Sequence, residues 1–157
     1  MNKKGLVTAL FLMAVVLVFA CLPKTNHNGL SATRHVVVEE QGIQFIEENW
    51  SKALQEAKKQ KKLIFIDAYT SWCGPCKMLK RNTFPDKVAG EFFNKNFINI
   101  ALDMEKGDGL TVAQRYGVRA YPTLIITDAG GNIITLSEGY INPTQLIEFG
   151  KYGLSKK

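Results

Sequence analysis

Apolar and polar positions follow a period that changes from block to block along this chain. Leu63-Ile64-Phe65-Ile66-Asp67-Ala68 is apolar on both faces apart from Asp67, the pattern of a central strand covered on both sides. Ahead of it, Trp50, Ala53, Leu54 and Ala57 fall at i, i+3, i+4 and i+7. With Asn49 as N-cap, that spacing predicts a helix over 50–59. Residues 43–46 predict a first edge strand. Beyond Cys73, Met78, Leu79 and Lys80 continue a helix to about Arg81, and Pro85-Asp86 opens another with Val88, Phe92 and Phe93 as its buried face. Residues 97–102 form a second apolar strand, and 110–116 a short helix. Strands at 123–127 and 133–136 flank Asp128-Ala129-Gly130-Gly131-Asn132, a hairpin signal. Asn142-Pro143-Thr144-Gln145 combines an N-cap, a proline at N1 and a Gln at N3, so a last helix starts there, packed by Leu146, Ile147 and Phe149 and ended by Gly153.

Strands separated by helices pair in parallel through right-handed crossovers, whereas the final hairpin must be antiparallel. The expected fold is α/β: a three-layer α/β/α domain with a mixed central sheet and a C-terminal β-hairpin plus helix. The 157 residues, 46% hydrophobic, suffice for one core. Neither internal repeats nor a second domain are expected.

The first twenty residues stand apart from that domain. Lys3 and Lys4 precede an apolar stretch at 6–19, and Ala20 precedes Cys21. This is the layout of a secretory signal, shorter than the ~20 apolar residues of a membrane-spanning helix, although an uncleaved anchor is the alternative. Val18-Phe19-Ala20-Cys21 resembles a bacterial lipoprotein signal, which implies lipidation of Cys21. Val18-Phe19-Ala20 also suits an ordinary signal peptidase. Lipidation accounts for the odd cysteine, since three cannot all pair internally. Residues 21–41 read as a polar tether, in which His27 and His35 are tether residues rather than metal ligands and Val36-Val37-Val38 is a candidate short strand. The domain is then 42–157.

Charge narrows the choice of partner. The net charge is +6, and removing Lys3 and Lys4 leaves +4, scattered or on one helix face with no arginine-rich stripe. Nucleic acid wants a clustered footprint, so none is expected as a partner. The run Lys58-Lys59-Gln60-Lys61-Lys62 suits a solvated helix end, where cations meet the dipole. Asp103, Glu105 and Asp108 hint at calcium, but a calcium loop needs more carboxylates and a bidentate Glu, so residues 104–109 read as a solvated loop.

The candidate chemistry lies in Trp72-Cys73-Gly74-Pro75-Cys76-Lys77. A strand that delivers Cys-x-x-Cys to a helix start is a redox arrangement. The alternatives are half a zinc site and a structural disulfide. Too few further ligands remain for structural zinc, and a disulfide closing so short a loop constrains little chain entropy. At the helix start, free N–H groups and the dipole favour a thiolate on Cys73, while Cys76, one turn on, points toward the protein. Cys73 attacks a partner disulfide and Cys76 resolves the mixed disulfide, so neither metal nor bound cofactor is needed. Gly74 and Pro75 fit the tight first turn.

This stretch resembles the active site of thioredoxins, over about residues 63–149. The resemblance implies a thioredoxin-like thiol–disulfide oxidoreductase in which Asp67, six residues before Cys73, moves a proton to and from Cys76. Such a carboxylate in an apolar strand has a raised pKa; the alternative is a hydrogen-bonded strand-end Asp. Tyr121-Pro122-Thr123 resembles the family's cis-proline loop, and Gly139 a groove glycine. The implied substrate groove is Trp72, Gly74, Pro75, Tyr121, Pro122 and Gly139. Three departures stand out: Arg81 replaces a kinking proline, Asn99 replaces a lysine near the buried acid, and the 104–109 loop is longer. Asn82-Thr83-Phe84-Pro85-Asp86-Lys87-Val88 is similar to the C-terminal domain of transmembrane thiol:disulfide interchange proteins and their secreted relatives.

The expected function is therefore reduction of disulfides in exported proteins by a monomeric envelope enzyme. Its electrons would come from a membrane or envelope thiol reductase, and a lipid on Cys21 would be its only membrane contact. An oxidant or isomerase on the same fold, and a non-catalytic docking module, are the alternatives.

Overall fold

The computed structural model describes residues 42–157. The signal, the tether, Cys21, His27, His35 and Val36–Val38 lie outside the described residues. The elements run β1 (Ile46–Glu47), α1 (Trp50–Gln60), β2 (Leu63–Tyr69), α2 (Gly74–Met78), α3 (Lys87–Asn96), β3 (Phe97–Asp103), α4 (Gly107–Tyr116), β4 (Thr123–Thr127), β5 (Ile133–Glu138) and α5 (Pro143–Ser155). The sheet order is β1-β3-β2-β4-β5. β3 is parallel to β1 and β2, while β4 is antiparallel to β2 and β5. The three-layer mixed architecture is therefore present.

Alternation along the strands divides the core in two. Ile64, Ile66, Ile98, Ile100 and Ile125 face Ala53 and Ala57 of α1 and Val112 of α4. Phe65, Phe97, Leu124 and Ile126 face Leu79, Ala89, Phe93 and Leu146 on the opposite side. There Phe65 and Phe93 ring centroids are 4.6 Å apart. Asp67, two residues after Phe65, shares the second side. The capping signals act as their sequences predict: Asn49 accepts from the Lys52 N–H, and Asn142 with Gln145 forms a reciprocal box.

Four local expectations are corrected. β1 is not 43–46 but Ile46–Glu47, because Ile43 instead donates its N–H to the Phe84 carbonyl at 2.8 Å. The Gly42 backbone there packs against Gly90, where a Cβ would lie 2.5 Å from Gly42 atoms. Val88 is 63% exposed: α3 turns Ala89, Gly90 and Phe93 inward, and Val88 falls off that stripe. Gly153 does not end α5, which runs on to Ser155. It is buried inside the helix, where a Cβ would come within 2.5 Å of Ile126 Cδ1. Finally, the helix after Cys73 does not stop at Arg81. Leu79–Thr83 widens into a π-helical turn in which the Phe84 N–H reaches the Leu79 carbonyl at 2.9 Å. That turn lets Leu79 and Thr83 both be buried and brings the Thr83 hydroxyl to the Ile141 carbonyl at 2.8 Å.

Candidate active site

The redox pair sits where β2 hands over to α2. The Tyr69 carbonyl accepts from the Met104 N–H at 2.8 Å, tying the end of β2 to the end of β3, and the Thr70 carbonyl accepts from the Cys73 N–H at 3.2 Å. Cys73 is the N-cap of α2, and its Sγ accepts from the Cys76 N–H at 3.1 Å. Pro75, within the first turn, has no N–H to leave unpaired. The two sulfurs are bonded, with Cα atoms 5.3 Å apart. In this oxidised form the cysteines are nearly equally covered, 3% and 2% exposed, so accessibility does not separate them. The helix-start position of Cys73 does.

Trp72 is 63% exposed on the rim. Its indole N–H donates to both Glu105 carboxylate oxygens, at 3.1 and 3.0 Å. Its ring meets Tyr121 edge-on, centroids 5.9 Å apart. Tyr121–Pro122 is a cis peptide, and the Pro122 carbonyl accepts from the Gly139 N–H at 2.8 Å. Gly139 has φ +87, which disfavours any side chain there. Trp72, Tyr121, Pro122 and Gly139 therefore form one connected rim, with Gly74 and Pro75 exposed beside it.

Asp67 is fully buried, and neither carboxylate oxygen has a hydrogen-bond partner among the described residues. It lines a cleft of about 260 Å³ with Glu47, Lys80, Phe84 and Ala101. Burial pushes its carboxyl up to about 7, Lys80 opposes that shift, and Glu47 adds to it. That places the protonation of Asp67 within the neutral range. Asn99 turns away from this cleft, its amide donating to the Gln44 carbonyl at 3.2 Å and to Asn94 Oδ1 at 3.0 Å. The cation beside the buried acid comes from Lys80, on the π-helical turn, and not from β3.

The carboxylates that hinted at calcium are engaged separately. Asp103 pairs with Lys106 at 2.9 Å, Glu105 holds Trp72, and Asp108 accepts from the Trp50 N–H at 2.8 Å. Sequence reasoning missed Glu47, Glu48 and Lys80. Glu48, at φ 52, accepts from the Tyr69 hydroxyl at 3.1 Å and the Asp103 N–H at 2.8 Å. Only the position of Lys80, one turn beyond Cys76, could have pointed to a role.

Comparison with known proteins supplies the deciding observation. The sequence profile of the thioredoxin-like domain matches residues 50–154. This chain belongs to the thioredoxin-like family. An H-type thioredoxin of Fagopyrum esculentum is 33% identical over 86 residues, 55% of this chain and 69% of that protein. The thiol:disulfide interchange protein DsbD of Yersinia pestis is 27% identical over 95 residues, 59% of this chain but 16% of that protein. A solved structure from Bacteroides thetaiotaomicron, provisionally a disulphide isomerase, is 38% identical with TM-score 0.65, covering 74% of this chain and 97% of that one. With its Cys-x-x-Cys pair, the family member described here is a thiol–disulfide oxidoreductase.

Proposed function

We propose that this enzyme works outside the cytoplasm and reduces disulfides in exported proteins. The observation that carries the reductive direction is the sparse donor set at Cys73. Among the described residues the only N–H that reaches the disulfide-bonded Sγ of Cys73 is that of Cys76, and Pro75 removes the N–H that another residue would offer in the first turn. Each donor withheld from a thiolate makes the reduced form less stable, and so makes the dithiol a better electron donor.

In the cycle this reading implies, the Cys73 thiolate attacks one sulfur of a substrate disulfide, and the other sulfur leaves with the bonding pair and takes a proton from solvent. Cys76 loses its thiol proton to the Asp67 carboxylate and attacks Cys73. The mixed S–S bond breaks onto the substrate sulfur, which is then protonated, and Cys73–Cys76 closes. Two electrons have passed to the substrate. The substrate strand lies along Trp72, Gly74, Pro75, Tyr121, Pro122 and Gly139, with the Tyr121 peptide as its pairing partner. A membrane or envelope thiol reductase returns the electrons, a reading supported by the similarity to DsbD.

Export rests on Lys3, Lys4, the apolar 6–19 stretch and the Ala20-Cys21 junction; added acyl mass on a mature N-terminal Cys21 tests the lipid anchor. The equilibrium potential of the Cys73–Cys76 couple tests the direction: a value near ~−270 mV supports reduction, and one near ~−120 mV rules it out. The relative from Bacteroides thetaiotaomicron favours one second reading, isomerisation. An isomerase can act through Cys73 alone, so Cys76→Ser would keep activity on a scrambled disulfide substrate while losing net reduction.

A further inference from the structure

The cleft beside Asp67 does more than bury an acid. β1, β3 and β2 pair in register so that Glu47 is opposite Ala101 and Ala101 is opposite Asp67. Residues paired across a parallel sheet share a face, so Glu47 and Asp67 stand on one side with only the methyl of Ala101 between them. On the other flank, Lys80 comes from the π-helical turn, its ammonium held 3.6 Å from the centre of the Tyr69 ring. The Tyr69 hydroxyl is in turn donated to Glu48, so the cation has a fixed seat.

We propose that this cleft is the side on which Asp67 exchanges its proton with solvent, and that Glu47 and Lys80 are positioning residues that control the exchange with opposite signs. The proposal deepens the reading above and rests on it for its role in turnover. The route past the cysteines is closed in the oxidised form, where both are buried, whereas the cleft reaches exposed Glu47 and Lys80. Among the described residues, the other groups facing Asp67 are uncharged: β3 offers Ala101, β4 offers Leu124 opposite Asp67, and the turn after α2 offers Phe84 across the cleft. Lys80 stabilises the Asp67 carboxylate and Glu47 disfavours it. Glu47 is itself held above its ordinary range, first by the partial loss of water on its cleft side, against Lys80 and with help from Glu48. When Cys76 gives its proton to Asp67, the Asp67 O–H bond must later break toward this cleft to reset the site, and the two charges set how readily it does so.

The test is the carboxyl 13C titration of Asp67 in the oxidised protein, in wild type, Glu47→Gln and Lys80→Met. Glu47→Gln is expected to lower the Asp67 midpoint and Lys80→Met to raise it, each by roughly half a pH unit or more. A second readout is the release of a chromophoric aromatic thiol from a mixed disulfide on Cys73, followed against pH. Its midpoint should move in the same two directions. Midpoints that stay fixed, that move the same way in both variants, or that move in the titration but not in the release profile overturn the proposal. The titration needs no substrate, so failure of the reductive reading would appear in the couple's potential and leave the titration unchanged.

Discussion

Two buried acids stand on neighbouring strands, and their environments push them apart. Asp67 on β2 and Asp103 on β3 are 0% and 3% exposed. Burial pushes both carboxyls up. At Asp103 the Lys106 ammonium, at 2.9 Å, and the Glu105 N–H, at 3.1 Å, outweigh burial and hold the carboxyl below its usual range. At Asp67 no partner among the described residues reaches the oxygens, and the carboxyl rises to about 7. Burial alone therefore does not make a proton carrier. Burial without a partner does, and the fold supplies a partner to Asp103 while withholding one from Asp67.

The sharpest way to break the comparison is Asp67→Asn. The folded state binds the Asp67 proton more tightly than the unfolded chain, so wild-type stability falls as pH rises from about 4 to about 7 and stays low above that. Removing the carboxyl should stabilise the oxidised protein at pH 8 by up to about 4 kcal/mol and flatten that slope, as read by denaturant unfolding against pH. The same variant should slow resolution by Cys76 at least tenfold, since its base is lost.

Asp103→Asn tests the other half and should behave oppositely. The depressed Asp103 carboxyl contributes stability above about pH 4 that disappears on acidification through its folded value. Because Lys106 is largely exposed, the loss at pH 7 should be only about 1 kcal/mol, and it should fade on acidification. An equal or larger penalty than the gain at Asp67 would contradict the contrast drawn here. The smallest effect belongs to Glu105→Gln, which keeps an acceptor for the Trp72 N–H but loses its charge. Stability should change by less than about 0.5 kcal/mol, with a change confined to KM for protein substrates.

The unequal legibility of these features has a physical cause. The Cys73–Cys76 pair, Asp67 in its apolar strand and the caps at Asn49 and Asn142 are local patterns, and each was readable from a few adjacent residues. The charges around Asp67 are not local. Glu47 reaches it through the β1–β3–β2 register and Lys80 through a π-helical turn that no proline marks. Val88 and Gly153 misled for a similar reason. An apolar Val fell outside the buried stripe, and a helix-ending residue type was needed within the last turn of α5 for its missing Cβ against Ile126. Glu105 was visible, but as part of an acidic loop; only the folded β3–α4 connection shows it holding Trp72.

The central claim is that an unpartnered buried carboxylate behind the redox pair is poised to exchange protons at neutral pH. The most direct measurement is the titration of the Asp67 side-chain carboxyl in oxidised wild-type protein. A midpoint of about 7 is the expected result. A midpoint near the ordinary ~4 of an exposed aspartate would mean that Asp67 has a partner in solution and that the proton of Cys76 goes elsewhere.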